Sequence, residues 1–351
     1  MENVLQIVPL LHPACSGVGD YALILARRFR DDYGVSTTFA VAHPNPDQTE
    51  LNGFEVVSLD LDGRLDISNR LRAFTCVFLH FVGYGFQKRG CPFWLQRLLK
   101  KWKQDVPELN LVTLFHELYA TGLPWQSSFY TSPFQRAITT NIARLSCDIV
   151  TNRTESAAKL TRMTGRGGIL RLPVFSNVGE PQTRRPISER DPILIVFGSV
   201  GWRSQVFGRD YLDLKQACRN WGVEQVFEVG PGLIELPQLE VPCHSLGVLS
   251  SFEVSSLMQR ARLGFLSYSS AFLEKSGIYA AYSAHGVVTI LPQRSMSSKT
   301  LGVTAGRHYV SAKNDFNSLG FLEERSCDVF NWYQTHTSAV HADAFAELIV
   351  K

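Results

Sequence analysis

Several things are scarce or missing in this chain of 351 residues, and each absence removes a class of protein. Its seven cysteines are odd in number and scattered, with no C-x-x-C pair. That excludes a disulfide framework or a zinc ribbon, and the expectation is buried, reduced thiols in a cytoplasmic protein. No apolar run reaches the roughly 20 residues needed to cross a bilayer. The opening residues 1–11 lack a basic leader region and a cleavage site, so they read as a first strand. Charge of one sign is also lacking: the net value is only +3, too small a bias to argue for a nucleic-acid partner.

Complete catalytic signatures are missing too. The dinucleotide fingerprint G-x-G-x-x-G begins at Gly17 and Gly19 but ends in Ala22. A zinc-binding H-E-x-x-H begins at His116 and Glu117 but has Ala120 in its last position, and no other ligands stand at metal spacing. No G-x-S-x-G elbow is present, and neither Gly208 nor the segment around Lys215 fits a phosphate-loop spacing. Asp60-Leu61-Asp62 spells a metal-binding D-x-D, yet it ends a strand and precedes Gly63, so a turn is expected.

What remains is an alternation of apolar runs and helical patterns, the signature of parallel sheets with crossover helices. Strands are expected over 5–11, 37–42, 56–59, 76–80, 111–115 and 149–151, and again over 193–197, 225–229, 241–246, 263–268, 287–291 and 309–311. The clearest helix spans 20–33, with Leu23, Leu25, Ala26 and Phe29 near helical spacing. The run 171–186 holds three prolines and a glycine with no periodicity, and the linker is placed at 176–190. The expected organisation is a Rossmann-like domain over 1–175, a second over 191–335, and a final segment 336–351. The two doubly wound α/β domains are expected to face each other across a cleft.

Ligands of open α/β sheets gather at the carboxyl ends of strands. His80 and His116 both end strands of the first half, followed by Tyr84 and Glu117 respectively. A lone histidine there is more often structural, but two at equivalent strand ends favour a site. In the second half, Gly198-Ser199 and Arg203 follow the first strand, and Gly230 follows the second. Glu274-Lys275-Ser276-Gly277-Ile278 precedes a helix of small residues that stops at Gly286. Backbone N–H groups at a helix start attract anions, and Lys275 and Ser276 at the same spot suit a phosphate. Arg203 suits a diphosphate through its planar fork, with Arg209 its competitor as a merely solvated cation.

The segment 93–103 is amphipathic, with Phe93, Trp94, Leu98, Leu99 and Trp102 on one broad face and Arg97, Lys100, Lys101 and Lys103 around it. It reads either as a crossover helix packed on the sheet or as a surface helix touching anionic lipid at the inner membrane face. The first is the more frequent case.

In their order, these features resemble the retaining nucleotide-sugar glycosyltransferases of the GT-B fold, especially the large family-four group. The residues carrying the likeness are Gly17-Val18-Gly19, His116, the helix start at 151–156 with Arg153, Phe197-Gly198-Ser199, Leu246-Gly247-Val248, Lys275-Ser276-Gly277 and His285-Gly286-Val287-Val288. The resemblance implies transfer of a sugar from a nucleotide donor, held mainly by the second domain, to a glycan, lipid or small-molecule acceptor held by the first. It places His116 near the transferred sugar, Gly17 and Gly19 near the donor phosphate, and Ser276, Gly277 and Ile278 at the diphosphate. The base is placed near Leu246, Gly247 and Val248. It also implies that a helix over 339–350 returns to the first domain, and that neither cofactor nor metal is needed. Polysaccharide biosynthesis is the setting it suggests. One departure stands out: members commonly carry two glutamates with seven residues between them, and counting back from Gly286 those positions are Leu273 and Ala281, with Glu274 one place off. The usual basic pair after the second domain's first strand is incomplete as well. A binding protein without turnover, or a nucleotide-sugar epimerase, are the alternatives this leaves.

Overall fold

The computed structural model of the protein describes residues 2–12, 17–45, 48–59, 70–297, 302–314 and 318–349. Asp60-Leu61-Asp62 and Gly63 lie outside the described residues, as do Ser16 and Val350. The chain divides into two compact units, one formed by Met1–Pro173 with Ser338–Lys351 and the other by Val174–Thr337.

The first unit is an eight-stranded sheet in the order β3-β4-β2-β1-β5-β6-β7-β8. Its strands are β1 (Asn3–Val8), β2 (Ser36–Val41), β3 (Glu50–Leu51), β4 (Phe54–Ser58), β5 (Cys76–Phe81), β6 (Leu111–Phe115), β7 (Asp148–Thr151) and β8 (Leu170–Arg171). All pairings are parallel except β3 with β4. Both faces of such a sheet must be covered, which explains why Val4, Leu5, Ile7 and Val8 are all buried although they point alternately up and down. One apolar cluster lies on each face, one with Leu79, Leu95 and Trp102, the other with Val8, Ala22 and Phe39.

Helix α1 (Gly17–Tyr33) buries Tyr21, Ala22, Leu25, Ala26 and Phe29, a stripe at helical spacing. After the short α2 (Gly83–Phe86) comes α3 (Phe93–Asp105), which buries Leu95, Leu99 and Trp102. The aromatic face of 93–103 is therefore mostly core, as a crossover helix packed on the sheet requires, and of its aromatic residues only Phe93 is exposed. Helices α4 (Ser127–Leu145) and α5 (Thr154–Thr164) follow.

In the second unit six parallel strands run in the order β11-β10-β9-β12-β13-β14. They are β9 (Asp191–Phe197), β10 (Gln225–Val229), β11 (Cys243–Ser245), β12 (Ala261–Phe265), β13 (Val288–Leu291) and β14 (Val310–Ser311). Between them run α6 (Val200–Phe207), α7 (Tyr211–Asn220), α8 (Ser251–Arg260) and α9 (Gly277–Ala284), and α10 (Leu319–Gln334) follows. The expected linker 176–190 belongs to this unit's fabric. Val178 and Ile187 enter its core, and the buried Arg190 donates to the carbonyls of Ala261, His285 and Gly286. A run of prolines suppresses regular structure without preventing burial.

The last helix, α11 (Ser338–Ile349), returns to the first unit and packs along α1. Arg28 Nε donates to Ser338 Oγ at 3.1 Å, and Asn110 Nδ2 donates to the Leu348 carbonyl at 2.8 Å. Strand order reverses direction between β1 and β5 in the first sheet and between β9 and β12 in the second. Crossover helices leave to opposite sides at such a point, opening a crevice beyond the strand ends.

Candidate functional site

At the first reversal, rings meet. His80, on β5, is buried; with Gln6 Oε1 accepting from its Nε2–H at 2.8 Å, its Nδ1 is left to accept from His116 Nε2–H at 3.3 Å. The two imidazoles are stacked at 5.5 Å with an interplanar angle of 18°. Tyr21 from α1 stands edge-on to both rings and to His341. Its hydroxyl and His341 Nδ1 are 2.5 Å apart, and His341 Nε2–H donates to the Pro173 carbonyl at 2.9 Å. The tyrosine hydroxyl is then the donor to Nδ1. Burial, followed by the neighbouring His116, holds His80 well below the usual histidine range. Burial pushes His341 down to about 3 and raises Tyr21 well above its usual value. Burial thus keeps His80 and His341 neutral at physiological pH, and His116 is the half-exposed outlet of the network.

Sequence reasoning found His80 and His116 but missed Gln6, Tyr21 and His341. A polar Gln6 in the middle of a buried strand was the available signal. Tyr21 and His341 lie 320 residues apart, and no local pattern joins them. The remaining first-unit candidates are dispersed. Glu117 is exposed, Tyr84 accepts a hydrogen bond from Gln135 at 3.1 Å, and Arg153 is paired with Glu155 at 2.7 Å. Gly17 begins α1, where an added Cβ would meet nothing within 4 Å, and Gly19 is buried in the helix's first turn.

The second reversal is built from charge. Arg203, expected as a diphosphate-binding cation, is fully buried and belongs to the scaffold. It forms an ion pair with Glu228 of β10, itself buried. Its Nε donates to the Gly198 carbonyl at 2.8 Å, and its Nη2 donates to the Pro231 carbonyl. Glu228 also accepts from Ser245 Oγ at 2.5 Å. One guanidinium thus ties together the turns after β9 and β10. Those turns abut: at Gly230 (φ +148°) an added Cβ would lie 2.1 Å from the Gly198 carbonyl oxygen. Gly230 N–H donates to the Gly247 carbonyl at 2.8 Å, which extends the lacing to the turn after β11. Leu246 and Val248 on that turn are exposed.

At Gly198 (φ +133°) a Cβ would come within 2.5 Å of Ile278 Cδ1, so the first turn also touches the start of α9. Ser276 caps that helix, its Oγ accepting from the Tyr279 N–H at 3.2 Å. Gly277 is exposed at the helix start, while Glu274 is buried just before it. Ala281, where a second glutamate would stand, is buried. The adjacent Tyr282 spends its hydroxyl on the β9 backbone, donating to the Ile195 carbonyl and accepting from the Phe197 N–H.

A pocket of about 250 Å³ lies at this reversal, lined by residues that include Trp202, Arg209, Tyr268, Phe272, Lys275 and Arg294. Lys275 Nζ sits 5.4 Å from the centre of the Phe272 ring. Trp202 and Tyr268 meet edge to face at 5.0 Å. Asp210, buried behind the wall, receives two hydrogen bonds from Arg294 at 2.5 and 2.6 Å and fixes that guanidinium. The pocket's arginines are therefore Arg209 and Arg294, neither of which sequence reasoning had favoured. Asp210 is the acidic partner of Arg294 at this wall. Among the described residues, no cluster of three His, Cys, Asp or Glu side chains is arranged to hold a metal ion.

No protein-family model matches the chain, and no curated protein matches it in sequence. Its fold is nonetheless shared with solved structures. A TarM variant from S. aureus, in complex with Fondaparinux, alpha-GlcNAc-glycerol and UDP, aligns over 100% of both chains with a TM-score of 0.63 at 7% identity. An alpha-glucosyltransferase in complex with UDP and a 13-mer DNA aligns over 99% of both chains with a TM-score of 0.62 at 10% identity. WaaG, a glycosyltransferase involved in lipopolysaccharide biosynthesis, aligns over 99% of both with a TM-score of 0.55 at 10% identity. Two parallel-sheet units with a terminal helix returning to the first, aligned end to end with these enzymes, establish that the chain has the GT-B fold.

Proposed function

We propose that the protein is a glycosyltransferase that moves a sugar from a nucleotide-sugar donor, held by the second unit, to an acceptor hydroxyl presented on the first. The observation that carries this reading is the pocket at the β9/β12 reversal, where Arg209, Lys275 and Arg294 stand among aromatic side chains in a GT-B fold. Cationic side chains converging on one pocket suit a diphosphate, and the aromatic faces suit a sugar or a base. UDP is present in two of the similar structures, so it is the nucleotide to test first.

Chemistry follows from that placement. The acceptor oxygen attacks the anomeric carbon on the face from which the diphosphate departs, and a departing phosphate oxygen takes the hydroxyl proton. The configuration is retained. Lys275 and Arg209 stabilise the charge that grows on the leaving group, a task that otherwise falls to a divalent ion. His116, oriented through its bond to His80, is assigned to the hydroxyls of the transferred sugar, and Gly17 and Gly19 to the approach of the acceptor and donor phosphate. Ser276, Gly277 and Ile278 frame the diphosphate, and Leu246, Gly247 and Val248 the base. The acceptor is a glycan, a lipid or a small molecule, in a cytoplasmic setting such as polysaccharide assembly.

A second reading has one observation in its favour, the buried Ala281 in place of a glutamate. A donor-binding protein with no turnover would look the same at the pocket. Titration of the full chain with UDP, GDP and ADP, followed by incubation with labelled nucleotide sugars, separates the two. Binding with release of labelled sugar is expected for the transferase. Binding without release in any donor panel would favour the second reading, conversion of the donor with no acceptor would point to an epimerase, and no binding at all would remove both of the first two.

A further inference from the structure

On the first unit, the start of α4 and the loop before it carry a cluster of exposed apolar side chains. Trp125 is 78% exposed and Tyr130 67% exposed, and Leu123, Phe129, Phe134 and the Phe93 ring of α3 join them. Phe93 and Phe134 meet edge to face at 6.4 Å, and Phe129 and Tyr130 at 5.4 Å, while Tyr130 and Phe134 are one turn apart on α4 and share a face. The backbone that presents them is fixed. Gln126 Oε1 accepts from the Leu123 N–H at 3.0 Å, and the buried Gln135 accepts from the Ala120 N–H at 2.8 Å. Thr139 donates to the Leu118 carbonyl at 2.8 Å, and an added Cβ at Gly122 would sit 2.8 Å from the Phe129 nitrogen. A segment stitched down this closely has its aromatics outward by construction.

The charge around the patch has one sign. Residues 82–97 and 118–136, the stretches that carry the patch, contain cations and no aspartate or glutamate, in a chain where acids and bases are nearly equal in number. Lys88, Arg89, Arg97 and Arg136 among them are exposed. Gln135 Nε2 donates to the Arg89 carbonyl at 2.9 Å, and Arg97 Nε donates to the Phe93 carbonyl at 3.4 Å, so these cations border the aromatic cluster. Tryptophan and tyrosine favour the boundary between water and acyl chains, and basic residues beside them are drawn to anionic headgroups. A carbohydrate would use the rings without needing the cations, and a second copy of this chain would meet like charge.

We infer that this surface docks the first unit on an anionic lipid bilayer, with Trp125, Phe129 and Tyr130 inserted at the interface and the surrounding cations on the headgroups. The contact lies on α4 and the 120–126 loop. It is independent of whether the second unit turns over a sugar donor.

Co-sedimentation of the full chain with vesicles tests it, comparing phosphatidylcholine alone with phosphatidylcholine containing phosphatidylglycerol. Binding is expected to the anionic vesicles and to weaken as salt rises. The double variant Trp125→Ser/Tyr130→Ser is expected to lose roughly tenfold or more in binding while its thermal melt stays unchanged, because both side chains are exposed. Trp125→Phe should retain most of the binding, and Lys88→Glu/Arg89→Glu should reduce both binding and its salt dependence. Equal binding by the double variant, or no binding of the native chain to either vesicle, overturns the inference. So does a concentration-dependent dimer that Trp125→Ser abolishes, or vesicle binding that ignores lipid charge.

Discussion

Two buried polar networks sit at the strand reversals of the two units, and they are made of different material. The first, Gln6-His80-His116 with Tyr21-His341, is a set of rings in which burial keeps His80 and His341 uncharged. The second, Arg203-Glu228-Ser245, is an internal ion pair that clamps three glycine turns, with the pocket cations beside it. A neutral relay orients without imposing a field, which suits a sugar hydroxyl. A clamped, cation-rich edge suits a ligand that carries its own negative charge. The contrast makes the two units separately testable.

The strongest way to break it is at Arg203. Arg203→Met leaves Glu228 buried without its partner, and a loss of about 3–5 kcal/mol is expected in the second unit alone. Hydrogen exchange resolved by segment would show it. Equal loosening of both units would contradict the assignment of Arg203 as a local clamp. Next comes His116→Ala, for which we predict a fall in kcat of roughly 100-fold with donor Kd unchanged. Steady-state kinetics beside a donor titration read both quantities, and a weakened Kd at full kcat would move the histidine to donor binding.

Lys275→Ala and Arg209→Ala should each weaken nucleotide diphosphate binding by roughly 10- to 100-fold, the range of one charge-assisted hydrogen bond. Calorimetric titration with UDP reads this. Unchanged affinity in both variants would detach the pocket from the donor. The smallest expected effect is the pH response. His80 and His341 have folded pKa values below the unfolded value of about 6.5, so the folded first unit binds fewer protons than the unfolded chain. Their contribution is present above pH 6.5 and lost as pH falls toward about 3, where His341 titrates. Each histidine adds up to about 1.4 kcal/mol of destabilisation per pH unit over that window. Denaturant melts of the His341→Asn variant, whose side chain takes no proton, should show a shallower slope than the native chain between pH 6 and pH 4. Parallel slopes would refute the linkage.

Much of the architecture was legible because parallel strands buried on both faces read as unbroken apolar runs. The segments 111–115 and 225–229 have the expected bounds, and α1 and the terminal helix differ by a few residues at their ends. The two-residue strands Glu50–Leu51 and Leu170–Arg171 escaped notice, since so short a pairing leaves no pattern. Site residues were harder. Position after a strand puts Arg203 near the ligand edge, but whether a guanidinium points under or over its turn depends on a partner elsewhere. Here that partner is Glu228, a lone acid inside an apolar strand, which was the missed clue. Arg209 and Arg294 come together from segments 85 residues apart, and only folding brings them to one wall.

The terminal helix has a consequence for how this protein is made. Met1–Pro173 leaves the ribosome early, yet the hydroxyl of Tyr21 and the carbonyl of Pro173 must wait for His341, which arrives after the whole second unit. The opening unit is thus incomplete throughout synthesis, with the side of α1 that α11 will cover still bare to solvent. A nascent chain stalled or truncated before Ser338 would keep the second unit's core and lack the keystone of the first.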